Sequence, residues 1–199
     1  SPGYHGLRYF ETFGEMAYIL KTRVEALRDL GPAMSPHSAF LFLQGIESLH
    51  VRMQRHVENT RVIAGFLEQH PGVSWVNYPG LKSSRYHQLA RKYLPRGAGA
   101  ILTFGVKGGF EAGRDFINNV QLFSHLANVG DAKSLVIHPA STTHSQLGEN
   151  DLKAAGISPD MIRMSIGIED TKDLIWDLEN ALPAKSTSAR RGRAQRRSA

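Results

Sequence analysis

Cysteine is absent from the 199 residues, which excludes disulfides, thiolate nucleophiles and zinc–thiolate sites. No apolar run approaches the roughly 20 residues of a membrane-spanning helix, and no secretory signal pattern opens the sequence. Neither standard glycine-rich phosphate loop is present, and no Gly-x-Ser-x-Gly turn supports hydrolase chemistry. These absences predict a cytoplasmic protein that has no membrane partner.

The formal net charge of +6 comes from the C-terminal end of the sequence. Residues 183–199 hold six Lys and Arg and no acid, so residues 1–182 are formally neutral. This end has little apolar content, and we predict that it is a disordered basic tail. It has no interleaved aromatic residues, so a solubilising tail is favoured over nucleic-acid binding.

The order of secondary-structure patterns predicts an α/β protein, with helices first and then about four strands that alternate with helices. Glycine and proline breakers, capping residues and apolar periodicity set the boundaries. The predicted helices cover residues 14–30, 36–48, 50–69, 86–94 and 110–120, with a last helix that Asp170 can cap. The predicted strands cover residues 73–78, 100–106, 134–137 and 161–168. We expect a small sheet, mixed or mostly antiparallel, with helices on one face.

The last predicted strand carries an arginine among apolar neighbours. Ile162, Met164, Ile166 and Ile168 alternate, so they should face a core while Arg163 points to the opposite face. A guanidinium there needs a partner, and a carboxylate or phosphate held by two hydrogen bonds fits best. That partner is either the carboxylate of a small substrate or an Asp or Glu of the same chain.

The segment from Asn128 to His144 combines a Gly-Asp turn with a lysine and several hydroxyl and imidazole groups. Ser134, at a strand start, can donate a hydrogen bond to a bound anion. Alternatively, these polar side chains only satisfy turn backbones. His138 and His144 do not have a zinc-site spacing, so no metal site is predicted.

Several of these segments resemble the pyridoxal-phosphate (PLP) enzymes of cysteine and methionine metabolism, the trans-sulfuration family. They are residues 30–49, His56-Val-Glu-Asn-Thr60, Val76-Asn-Tyr-Pro-Gly80, His138-Pro-Ala-Ser-Thr-Thr-His144 and Arg163-Met-Ser-Ile-Gly-Ile-Glu-Asp170. Asn128-Val-Gly-Asp-Ala-Lys-Ser-Leu135 resembles the O-acetylhomoserine sulfhydrylase branch. The γ-lyase and cystathionine γ-synthase branches typically have Glu in place of Lys133.

The resemblance implies the C-terminal part of a fold type I PLP enzyme. Residues 1–48 would then be the end of the large cofactor domain with linking helices, and residues 49–182 the small domain. In the family, the positions of Ser134 and Arg163 bind the α-carboxylate of the amino-acid substrate. The implied reaction is a transferase reaction of methionine biosynthesis, in which sulfide or a thiol replaces acetate on the γ carbon. Homocysteine or methionine is the product, and the full-length enzymes are homotetramers.

The sequence departs from the family in its lysines. The lysine that binds the cofactor covalently lies in a Ser-x-x-Thr-Lys-like segment, and none of the eight lysines here has that context. Residues that stack on the cofactor, pair with its ring nitrogen or hold its phosphate are missing too. We therefore assign no catalytic or cofactor-binding residue and expect this chain alone to be inactive. The alternatives are a non-catalytic interaction module with the same fold, or another reaction of the family.

Overall fold

The computed structural model describes residues 2–183, apart from the side chain of Glu149. The predicted basic tail covers residues 183–199, and all of it after Pro183 lies outside the described residues. The chain divides into two compact units, one up to Glu47 and one from Ser48 onward. No helix within residues 2–183 is long and apolar enough to cross a membrane.

The first unit is helical. Its α-helices are Tyr9–Phe13 (α1), Ala17–Lys21 (α2), Arg28–Leu30 (α3) and Pro36–Glu47 (α4), with 3-10 turns at Pro2–Tyr4 and Gly14–Met16 and a π-helical stretch at Thr22–Leu27. The predicted helix over residues 14–30 is confirmed as this run of helical segments. It ends at Gly31, whose φ of 63° lies in the left-handed region that favours glycine.

The second unit is a five-stranded sheet with helices. Its helices are Leu49–Gln69 (α5), His87–Tyr93 (α6), Gly109–Asn119 (α7), Glu149–Ala154 (α8) and Thr171–Ala181 (α9). Its strands are Val73–Asn77 (β1), Ile101–Val106 (β2), Ser124–His125 (β3), Leu135–Ile137 (β4) and Met161–Ser165 (β5). The strand order is β1-β2-β5-β4-β3, and only the β3–β4 pair is parallel within residues 2–183. The expected mixed, mostly antiparallel sheet is confirmed.

The core lies between this sheet and the helices α5, α7 and α9. Alternate residues of β2 and β5 face it in register, with Leu102 opposite Met164 and Phe104 opposite Ile162. These side chains are at most 1% exposed. The helices contribute mainly Ile63, Leu67, Phe116, Leu174 and Leu178.

The last strand is shorter than predicted. It ends at Ser165, and Ile168 is 38% exposed, so the expectation that Ile168 faces the core is wrong. Beyond Ile166 the backbone leaves the ladder, because the side-chain amide of Asn59 on α5 binds the carbonyls of Gly167 and Glu169. The sequence patterns also missed β3 and α8, two and six residues long.

Helix α9 begins as predicted and carries a buried carboxylate that the sequence did not flag. The Asp170 carboxylate accepts the Lys172 N–H at 2.8 Å, which confirms the predicted N-cap. One turn from the end of α9, Asp177 is fully buried. Its carboxylate accepts the backbone N–H groups of residues 121, 122 and 123 at 2.8, 2.8 and 3.2 Å, and so fixes the turn that follows α7.

Candidate carboxylate-binding site

Arg163 lies in the middle of β5, between two antiparallel neighbours. It faces Thr103 of β2 and Ile137 of β4 across the ladder. Ile162 and Met164, on either side of it, are fully buried in the core. Because side chains alternate along a strand, Arg163 is directed to the sheet face opposite the core helices, as the sequence predicts.

The guanidinium of Arg163 has no acidic partner among the described side chains. The ion pairs of residues 2–183 include Arg8–Glu11, Arg28–Asp29 and Arg114–Glu111, and Arg163 is in none of them. Arg163 instead donates from Nη2 to the Asn128 carbonyl at 3.4 Å, a long hydrogen bond. This half-buried cation therefore keeps most of its donors available for a ligand.

A buried hydroxyl lies on the same face of β5. Ser165 is 1% exposed, and its Oγ has no hydrogen-bond partner among the described residues. Buried polar atoms are normally paired, so this group requires an explanation. Together with Arg163 it makes this face of the strand polar.

Ser134, the second predicted site residue, immediately precedes β4 and is fully buried. Its hydroxyl donates to Glu169 Oε2 at 2.8 Å, and its backbone N–H donates to Glu169 Oε1 at 2.6 Å. Its Oγ also accepts the N–H of Gly167 at 2.8 Å. Since a hydroxyl has one proton, that proton is already committed to Glu169 in this geometry. We call Ser134, Gly167 and Glu169 the Glu169 bracket.

The bracket is held from the helix side by α5. The side-chain amide of Asn59, 1% exposed, donates to the carbonyls of Gly167 at 3.0 Å and Glu169 at 2.8 Å. One turn earlier, His56 Nδ1 lies 2.6 Å from the Ile166 carbonyl and must carry the proton of that hydrogen bond.

Arg163 lies on β5, and Ser134 immediately precedes the adjacent strand β4. Leu135 faces Ser165 and Ile137 faces Arg163, so Ser134 lies about three residues, roughly 10 Å, along the ladder from the arginine backbone. The segment 128–133 connects Arg163 with Ser134, because the Asn128 carbonyl contacts Arg163 and residue 133 directly precedes Ser134. Whether both residues bind a carboxylate stays a prediction.

Sequence reasoning missed Asn59, Asn128 and Glu169 as parts of this site. Asn59 and Glu169 lie inside segments that carry the family resemblance, but local pattern gave them no role. Their contacts join residues more than 30 positions apart, and no single-chain periodicity predicts such pairs.

The sequence predicts no covalent PLP site, and this stays a prediction. All seven lysines within residues 2–183 are exposed, and Lys107 Nζ already donates to the Pro71 carbonyl at 2.7 Å. The same range contains no cluster of three or more metal-ligating side chains. The candidate site rests on the guanidinium of Arg163, whose anion-binding role stays a prediction.

The comparisons agree with the fold. Residues 13–183 match the family model described as Cys/Met metabolism PLP-dependent enzyme. The chain belongs to this family of PLP-dependent enzymes. The predicted fold class, the C-terminal part of a fold type I PLP enzyme, is confirmed by the solved structure described below.

Its relatives include named sulfhydrylases. The chain is 54% identical over 181 residues to O-acetyl-L-homoserine sulfhydrylase 1 of Thermus thermophilus, covering 91% of this chain and 43% of the relative. It is 51% identical over 181 residues to homocysteine synthase of Schizosaccharomyces pombe, covering 91% and 42%.

A solved structure also resembles the chain. An O-acetylhomoserine (thiol)-lyase of Campylobacter jejuni, which carries N'-pyridoxyl-lysine-5'-monophosphate, has a TM-score of 0.79 at 46% identity. The match covers 91% of this chain and 43% of that one. The chain thus spans less than half the length of the proteins it matches.

Proposed function

We propose that this chain is the substrate-carboxylate-binding part of an O-acetylhomoserine sulfhydrylase. The enzyme would replace the acetate on the γ carbon of O-acetylhomoserine by sulfide or a thiol, giving homocysteine or methionine. The observation that carries the proposal is Arg163, a strand arginine whose guanidinium meets no described acidic side chain. The names of its relatives support the substrate class.

Arg163 would hold the α-carboxylate by two parallel N–H···O bonds, the geometry that a guanidinium fork matches. Ser134 would contact the same carboxylate if its hydroxyl turned from Glu169 to the substrate. Fixing the amino acid at its carboxylate orients the Cα–H for proton removal. The cofactor of the family would serve as an electron sink for the resulting carbanion.

Further parts of the proposal concern the whole enzyme. Residues 1–48 would belong to the large cofactor domain and residues 49–182 to the small domain. The enzyme would be a cytoplasmic homotetramer. The neutral charge balance of residues 1–182 supports a small-molecule substrate rather than nucleic acid.

The test is a chimera in which residues 13–183 replace the matching part of the Thermus thermophilus relative. The chimera should form homocysteine from O-acetylhomoserine and sulfide. Arg163→Gln should raise the KM for O-acetylhomoserine by roughly 100-fold, because two charge-assisted hydrogen bonds are lost. The KM for sulfide should stay the same, since sulfide has no carboxylate.

The matched control is Arg114→Gln, which removes an exposed arginine of α7 that pairs with Glu111. It should leave both KM values unchanged. An inactive chimera, or an Arg163→Gln variant with an unchanged KM for O-acetylhomoserine, would contradict the proposal. Release of a keto acid without sulfide would instead identify a γ-lyase of the same family.

A further inference from the structure

The carboxylate of Glu169 forms contacts on both sides of Ser134, and neither of its oxygens contacts Arg163 within the described residues. It accepts both donors of Ser134, the N–H at 2.6 Å and the O–H at 2.8 Å. A carboxylate that accepts an N–H and an O–H from one residue fixes both the position and the rotamer of that residue. Glu169 therefore sets where β4 begins.

The bracket leaves no room for a side chain at Gly167. A Cβ added to Gly167 would collide with the carbonyl of Ala132, with Glu169 Oε2 and with the Ser134 nitrogen. Only glycine allows this close approach of the two backbones. The N–H of Ile168 also donates to the Ala132 carbonyl at 3.0 Å, so the two segments are held together on both sides of Gly167.

The same contacts determine the surroundings of Arg163. The segment 128–133 is anchored to the bracket at Ser134, and its other end supplies the Asn128 carbonyl that contacts the guanidinium. The side-chain amide of Asn59 fixes Glu169 from the opposite side by donating to the backbone carbonyl of Glu169. Displacing the Glu169 side chain would therefore release the segment that lies against the arginine.

We propose that Glu169 is a positioning residue of the carboxylate-binding site, which acts through Ser134 and the segment 128–133 without touching the substrate. This rests on the proposed function of Arg163. Glu169→Gln should preserve part of the positioning of Ser134, because the amide oxygen of the glutamine still accepts the Ser134 N–H. Its NH₂ would then donate to Ser134 Oγ and free the hydroxyl proton. Glu169→Ala removes both contacts.

The first experiment compares these variants in the chimera. Glu169→Ala should raise the KM for O-acetylhomoserine roughly 10-fold or more with a smaller change in kcat, and Glu169→Gln should lie in between. Glu179→Gln, an exposed glutamate of α9, is the matched control and should change neither. Combined with Arg163→Lys, the effect of Glu169→Ala on KM should be less than multiplicative, since both changes act on one site.

A residue that only stabilises the fold would lower the amount of folded enzyme and leave the KM of the folded fraction unchanged. If Arg163→Gln raises the KM and Glu169→Ala does not, the positioning role is overturned while the proposed function stands. If neither raises it, the proposed function itself fails.

The second experiment uses amide hydrogen exchange in the 199-residue chain and needs no turnover. The Ser134 amide should exchange roughly 10-fold faster in Glu169→Ala than in the unmodified chain, whereas Glu169→Gln should keep it protected. Unchanged protection of Ser134 in Glu169→Ala would overturn the bracket.

Discussion

Asp177 offers a direct test of how polar contacts stabilise the second unit. Its buried carboxylate accepts three consecutive backbone N–H groups, of residues 121 to 123. Asp177→Ala would leave all three donors without an acceptor. Asp177→Asn keeps the shape but puts an NH₂ against backbone donors. It should therefore lower the free energy of unfolding by about half as much as Asp177→Ala.

The magnitude follows from the three hydrogen bonds. Bonds to a charged acceptor are each worth about 1.5–3 kcal/mol. Two of the three amides are only partly buried, so water can replace part of what they lose. We therefore expect Asp177→Ala to lower the free energy of unfolding by about 3–5 kcal/mol, a large share of the roughly 5–15 kcal/mol typical of a domain.

Tryptophan fluorescence during urea unfolding measures this change. The chain has two tryptophans, Trp75 and Trp176, and both lie in the second unit. At a urea m-value of about 2 kcal/mol/M, the expected loss lowers the unfolding midpoint by about 2 M. The first unit carries no tryptophan, so the signal reports the second unit.

Asp173→Asn is the control, because Asp173 is exposed in the first turn of the same helix. Its charge should be worth only about 0.3–1 kcal/mol through the helix dipole. If Asp177→Ala costs no more than this control, the buried carboxylate does not stabilise the turn and the reasoning is refuted.

Two further predictions concern titration and the cofactor. Burial against Phe66, with Lys107 nearby, lowers the pKa of His70 from its usual 6.5, despite the opposing effect of Glu179. Titration of His70 should therefore not lower the free energy of unfolding above pH 6.5. Below pH 6.5 the free energy of unfolding should decrease, because His70 binds a proton more readily in the unfolded chain than in the folded one. His70→Asn keeps an acceptor for the Gly72 N–H and should flatten this part of a urea-midpoint profile; an identical profile would contradict it. Equimolar PLP and borohydride should leave the 199-residue chain without a stoichiometric adduct by mass spectrometry, because no lysine has the family context; an adduct, first to be sought at Lys133, would refute this.

The sequence predicted the sheet and its arginine because both depend on local alternation. Ile162, Met164 and Ile166 are fully buried, as their spacing requires. The two-residue strand β3 has no such pattern, since it is defined only by its parallel pairing with β4. Ile168 continues the alternation in sequence, yet contacts with α5 take its backbone out of the sheet.

The surroundings of Arg163 could not be predicted in the same way. The role of Glu169 depends on Ser134, 35 residues earlier, and that of Asn59 on carbonyls more than 100 residues later. Propensity and periodicity describe neighbours along the chain, whereas these contacts exist only after the sheet and α5 have assembled. The family resemblance predicted a role for Ser134 and Arg163, but not for the residues that contact them.

The register of β5 has a consequence for how this chain can vary. Because side chains alternate, shifting β5 by one residue would bring Arg163 into the core and expose Ile162 and Met164. The apolar residues that never contact a ligand therefore keep the arginine on its side of the sheet. Insertions should be tolerated between β4 and β5, over residues 138–160, but not within either strand. Among related sequences, differences in length should therefore fall within the connection 138–160 and not within β4 or β5.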